Sequence, residues 1–171
     1  GTKYMREGQW AKAVPYLEQV PLSYISKQAI SRYMARRDYR VERWFKRQVV
    51  DREDDYEDWS TPTVVSHNQK LDFCHSVVAL ERQLRAASGA EQQARLHYEL
   101  ATLLYQASYK GDCWYLTRYG QSFYDTMCYT GEADLIQQSI AHLRAAKSEG
   151  SLAMQEKCLY ALAFIPQGAD L

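Results

Sequence analysis

Cysteine and histidine side chains supply many of the nucleophiles and metal ligands of proteins, and in this chain they are scattered. The four cysteines form no Cys-x-x-Cys pair, and the four histidines form no His-Glu-x-x-His motif. They are Cys74, Cys113, Cys128, Cys158, His67, His75, His97 and His142. No Gly-x-Ser-x-Gly, phosphate-loop or dinucleotide motif occurs. The sequence therefore predicts no catalytic residue, no metal site and no cofactor, and we expect a non-enzymatic protein.

An aromatic stretch between positions 105 and 129 is the sharpest local feature. Tyrosine and tryptophan combine a large contact area with a polar group, so they suit a groove that binds a peptide or ligand. The candidate partner-binding residues are Tyr105, Tyr109, Trp114, Tyr115, Tyr119 and Tyr124. The alternative is packing between helices. We favour packing for Trp114, with the surrounding tyrosine hydroxyls reaching the surface.

A basic stretch runs from Arg32 to Arg47, with seven basic and two acidic residues. Aromatic residues interleave with it, as on surfaces that bind single-stranded nucleic acid. The candidate basic patch is Arg36, Arg37, Arg40, Arg43 and Arg47. Residues 51–58, DREDDYED, carry six acids and one arginine. We therefore favour mutual neutralisation of the two segments over nucleic-acid binding.

Length, composition and charge narrow the class further. The chain has 171 residues, 46% of them hydrophobic and 25% charged, which fits one globular domain over 1–171. The 21 basic and 21 acidic residues cancel, so no global field draws the protein to nucleic acid or an anionic membrane. No apolar run has the length of a membrane span.

Four segments have the apolar spacing of helices, at about 68–87, 90–107, 132–147 and 152–165. In the first, Phe73, Val77, Leu80 and Leu84 step by four and three and share one helical face. Capping boxes are predicted at Ser66–Gln69 and Ser88–Glu91. Thr130 is the candidate cap of the third segment, and Pro166 the stop signal of the fourth.

Further helices are predicted at about 10–20, 24–36, 39–49 and 113–128, with Pro15 shortening or bending the first. Residues 51–65 are predicted to form an acidic irregular loop. No segment has the pattern of a strand, so the predicted fold class is all-α.

Short connections between helices suggest a repeat. The tetratricopeptide unit places a glycine, a large residue, a small residue and further large and small residues at fixed spacing along its second helix. The matching positions are Gly8, Trp10, Ala13, Leu17 and Val20. Ser139, Leu143 and Ala146 repeat the end of this spacing. The first-helix element occurs at Leu100-Ala101-x-x-Leu104 and Tyr160-Ala161-x-x-Phe164.

The chain therefore resembles tetratricopeptide-like helical repeat proteins. Through YMARRDYRVERWFKRQ, NQKLDFC, YELATLLYQASYKGDCWYLTRYG and EKCLYALAFIP it resembles the C-terminal part of long, uncharacterised bacterial proteins of that type. Residues 21–65 and 131–139 depart from the repeat spacing. The resemblance implies antiparallel helical hairpins stacked as a short α-solenoid, and it weakly favours the bacterial envelope.

Such a fold implies a module for protein–protein interaction, with a protein or peptide partner on a concave surface. A structural capping domain of a longer solenoid is the alternative, and a nucleic-acid binder ranks below both. Only seven residues precede Gly8, where a complete first helix needs about 14. We therefore expect a fragment whose residues 1–20 pack on preceding repeats or a neighbouring chain, fray, or fold back on the domain.

Overall fold

A computed structural model describes residues 1–48, 63–119 and 130–167. Four short helices come first: α1 (Thr2–Arg6), α2 (Trp10–Leu17), α3 (Leu22–Ile25) and α4 (Ser31–Arg36). Four longer helices follow: α5 (Gln69–Ala86), α6 (Ala90–Ala107), α7 (Leu135–Glu149) and α8 (Leu152–Gln167). A 3₁₀ helix covers Trp114–Leu116. No strand occurs among these described residues, and the all-α class is confirmed. Stacking as a solenoid stays a prediction.

The bounds of α5 and α6 agree with the predicted spans to within one residue, but both predicted capping boxes are wrong. The α5 cap is Asn68, whose side chain accepts a hydrogen bond from the Leu71 amide at 3.2 Å. Gln69 instead donates to the Arg37 carbonyl. At α6 the cap is Gly89, which has no side chain to accept a bond, and Glu91 accepts from the Ser151 amide and hydroxyl.

The last two helices differ slightly from prediction. Helix α7 begins at Leu135, three residues late, because Asp134 and not Thr130 is its cap and accepts from the Gln137 amide at 3.0 Å. Helix α8 continues through Pro166 to Gln167. None of the described helices combines the length and apolarity that a bilayer crossing requires.

The predictions at the N-terminus and around residue 113 need larger corrections. Residues 24–36 hold the end of α3 and all of α4, and residues 39–48 form turns and irregular chain, not a helix. Helix α2 ends at Leu17, two residues after Pro15. Residues 113–119 contain only the 3₁₀ turn. The acidic run 51–58 and residues 120–128 lie outside the described residues.

The N-terminal helices fold back on the domain, which is one of the expected outcomes. Gly8 turns the chain between α1 and α2 with φ +69°, a left-handed conformation that favours glycine. Trp10 of α2 then meets Phe73 of α5 edge to face, with ring centroids 5.3 Å apart. This contact covers the apolar face of α2.

Helix α6 connects two buried clusters of apolar side chains. Leu100, Leu103 and Leu104 pack with α5 and the N-terminal helices. On its other side, Ala101 and Tyr105 pack with α7 and α8. The Ser139 hydroxyl of α7 donates to the Ala101 carbonyl at 2.8 Å, which fixes α7 closely against α6. The core therefore holds α5 and α8 on either side of α6.

Candidate functional site

The structure places three of the predicted aromatic residues in the interior. Trp114 is 6% exposed, and Tyr105 and Tyr115 are also buried. Trp114 and Tyr115 pack with Tyr33 in one cluster, whereas Tyr105 packs in the other. These three side chains pack between helices, as the alternative to a partner-binding groove predicts. The burial of Tyr105 raises the pKa of its hydroxyl to about 12.

The remaining aromatic candidates have different surroundings. Tyr109 is half-buried, and Tyr119 is 68% exposed. Tyr124 lies outside the described residues. A partner-binding role stays a prediction for this stretch, and the described members do not line one concavity together.

Two members of the predicted basic patch are used inside the protein. The Arg37 guanidinium donates to the Asp112 carbonyl at 2.7 Å, and Arg43 Nε lies 3.0 Å from Asp112 Oδ1. Arg40 pairs with Asp38 on the surface, and Arg36 and Arg47 are exposed. The carboxylates of Asp112 and Asp38 neutralise part of the basic stretch. The acidic run 51–58, which was predicted to neutralise it, lies outside the described residues.

Asp112 and Gln106 hold the segment 37–48 against α6. The second oxygen of Asp112 accepts from the Gln48 amide at 2.9 Å, and the buried Gln106 amide donates to the Val41 carbonyl at 2.7 Å. These tertiary bonds replace the helical bonds that the sequence predicted for residues 39–48. They make that segment one wall of a groove.

The groove lies between residues 40–46, the α5–α6 hairpin and α8, and encloses about 940 Å³. Its apolar side chains are Val41, Phe45, Ala79, Leu80, Leu103 and Met154. A volume near 1,000 Å³ with a largely apolar lining is in the usual range of ligand sites. An extended segment of a few residues can therefore bury side chains here.

Charged side chains surround this apolar lining, four basic and two acidic. Glu42 pairs with Lys157 at 3.0 Å, and Glu99 pairs with Arg95 at 3.3 Å. Lys46 is exposed and makes no ion pair with any residue that the structure describes. Arg40 pairs with Asp38, which is outside the lining, so the positive charge of the groove that no described carboxylate pairs is that of Lys46.

The floor beside these charges is fixed by two buried aromatic residues. The Trp44 indole N–H donates to the Tyr98 hydroxyl at 2.8 Å. Burial raises the pKa of Tyr98, so the hydroxyl stays neutral. Lys157 lies over the Tyr98 ring, 5.0 Å from its centroid. These contacts hold the Tyr98 side chain in place at the floor of the groove.

Most of this groove was absent from the sequence predictions. The sequence places Leu80 on an apolar helical face and Arg40 in the basic patch, but no spacing pattern indicates that the two residues line one groove. The useful signal was the basic and aromatic mixture at Phe45 and Lys46, which the tertiary fold places beside α5 and α6.

Two histidines that are distant in sequence meet between α6 and α7. His97 Nδ1 lies 2.8 Å from His142 Nδ1. Burial lowers the pKa of both, and that of His142 falls to about 4. Over the described part of the chain, no three histidine, cysteine or acidic side chains are grouped to hold a metal ion.

Comparison with protein-family models, curated proteins and solved structures finds no match for this chain.

Proposed function

We propose that this domain is a non-enzymatic interaction module of the tetratricopeptide-like type, and that its groove binds an acidic peptide segment with apolar anchors. The observation that carries the proposal is the apolar groove with Lys46 exposed at its rim. Apolar pockets bind the anchors of a peptide, and complementary charge at the rim guides association.

The charge arrangement supports an acidic occupant over a basic one. The two acidic lining residues, Glu42 and Glu99, each pair with a basic residue of the protein. Lys46 at the rim is exposed, and it keeps its charge for a partner. A basic peptide would have to compete with Lys157 and Arg95 for the carboxylates that they hold.

The two other candidate functions have weaker support. A terminal capping repeat needs a polar outer face, but α8 exposes Leu152, Leu159 and Tyr160. A nucleic-acid surface needs arginines available for phosphate, but Arg37 and Arg43 contact Asp112.

Selection of short peptides from a random phage library on the full-length chain tests this proposal. We expect the selected peptides to be rich in aspartate, glutamate, leucine and aromatic residues. Their amide shift changes in NMR titration should map to residues such as Ala79, Leu103 and Lys157. Selected peptides without acidic bias, or shift changes confined to other faces, would contradict it.

Charge reversal supplies the matched variants. Lys46→Glu should weaken binding of an acidic peptide by about tenfold, because it converts an attractive rim charge to a repulsive one. Lys12→Glu makes the same change on the exposed surface of α2 and should leave the affinity unchanged. Equal effects of the two variants would show a general charge effect and not a groove.

A further inference from the structure

A second cavity lies between the N-terminal helices and the start of α5, and it shares no lining residue with the groove. It encloses about 390 Å³, toward the small end of the range for ligand sites. Its apolar lining includes Leu17, Val20, Ile25, Ile30 and Met34. Lys70 of α5 also lines it, as the one charged side chain among these lining residues.

Lys70 is unusual because a lysine is rarely so deeply buried without an acidic partner. Lys70 is only 5% exposed. The Nζ atom donates to the Thr2 hydroxyl at 2.9 Å and lies 4.8 Å from the centroid of the Tyr119 ring. No carboxylate pairs with Lys70 among the residues that the structure describes.

Neither Arg6 nor Cys74 stabilises the positive charge of Lys70. Arg6 repels it, and burial together with Arg6 lowers the pKa of Lys70 to about 7. The neighbouring Cys74 thiol stays neutral, since burial raises its pKa to about 12.

The hydrogen bonds of the polar lining residues also favour Lys70 as the ligand-binding group. Asn68 lines the cavity, but its amide donates to the Leu17 carbonyl and its oxygen accepts from the Leu71 amide. An ammonium has three donors, and Thr2 takes one of them. Lys70 therefore retains donors for an incoming acceptor.

We propose that this cavity binds a small monocarboxylate with an apolar chain, its carboxylate against Lys70 Nζ and its chain against Leu17, Val20 and Ile25. One buried ammonium matches one negative charge, whereas a phosphate group is usually held by several donors or an arginine fork. The apolar lining excludes a strongly hydrated molecule. A medium-chain fatty acid has both properties.

Calorimetry with octanoate tests the site, in buffers of different ionisation enthalpy, one pH unit above the Lys70 pKa. Binding should take up close to one proton, because the carboxylate stabilises the charged ammonium. 1-Octanol has the same chain without the charge, and it should bind more weakly with no proton uptake. Equal binding of both molecules, or no binding of octanoate, would overturn the proposal.

Lys70→Met keeps a side chain of similar length and removes the charge. It should weaken octanoate binding by about tenfold or more and abolish the proton uptake, while 1-octanol still binds. Retained octanol binding also shows that the cavity has folded. Lys12→Met is the matched control and should behave as the unmodified chain. Unchanged octanoate binding by Lys70→Met would assign the ligand elsewhere and overturn the proposal, whatever the groove binds.

Discussion

Arg43 Nε and Asp112 Oδ1 lie 3.0 Å apart, and the Asp112 side chain is only 3% exposed. This ion pair joins the basic stretch to the connection that follows α6. It uses one arginine of the candidate basic patch in a contact inside the protein. The same contact holds residues 40–46 where they form a wall of the groove.

Asp112→Ala should destabilise the protein by about 3–5 kcal/mol, because it leaves Arg43 without its partner and removes the acceptor of the Gln48 amide. Urea denaturation measures this loss. Arg40→Ala, at the exposed pair with Asp38, is the control and should cost at most about 1 kcal/mol. Similar losses in the two variants would show that Asp112 has no special structural role.

Trp114→Ala should cost about 3–5 kcal/mol of stability through cavity formation, because the indole packs against Tyr33 and Tyr115 in the core. Tyr119→Ala is the surface counterpart, and loss of its contacts with Lys70 and Arg6 should cost about 1 kcal/mol or less. Chemical denaturation of both variants measures the two losses in free energy of unfolding. A Trp114 variant of unchanged stability would return this residue to the list of partner-binding candidates.

Local pattern predicts the long helices well and the tertiary contacts poorly. The spans of α5 and α6 follow from apolar residues spaced three and four apart, which requires no knowledge of the rest of the chain. Residues 39–48 have a similar pattern, but bonds from Gln106 and Asp112 give them another conformation. The predicted capping boxes fail because Gln69 and Glu91 bind distant partners.

Two features, the burial of Lys70 and the contact of His97 with His142, could not be found from spacing. A lysine near the start of a helix is ordinarily an exposed residue, but Lys70 is buried and contacts Thr2 of α1 and Tyr119, both distant in sequence. His97 and His142 are on different helices, so only the close contact of α6 with α7 brings them together.

The histidine pair predicts a loss of stability in mild acid. Burial lowers the pKa of both histidines, and the mutual repulsion of the pair lowers that of His142 further. Glu149 acts in the opposite direction on His97. Between about pH 6.5 and pH 4 the unfolded chain binds more protons than the folded chain, so stability falls as the pH falls.

His142→Gln isolates this effect. Its urea midpoint should decrease less steeply than that of the unmodified chain over the same pH range. Comparing the two slopes removes the contribution of the carboxylates, which both proteins share. Parallel slopes would show that the histidines do not titrate as the buried pair requires.

Lys70 predicts a second pH dependence, at higher pH. Its pKa falls from 10.5 to about 7 on folding, so the unfolded chain binds more protons between these values. Stability should therefore rise with pH in this window, by up to about 1.4 kcal/mol per pH unit. Lys70→Met should remove this rise and be the more stable protein near neutral pH. Denaturation midpoints from pH 7 to 9 that rise equally in both proteins would contradict the assignment.

A charge-swap experiment at Lys46 tests the binding groove most directly. Fluorescence anisotropy would measure the affinity of an acidic peptide from the library, and of its analogue with one glutamate replaced by lysine. The unmodified chain should prefer the acidic peptide, and Lys46→Glu should prefer the analogue, with each mismatch costing about tenfold. The comparison is repeated with each glutamate of the peptide replaced in turn. If both proteins bind the acidic peptide more tightly than every analogue, the peptide does not lie beside Lys46, and the groove is not its site.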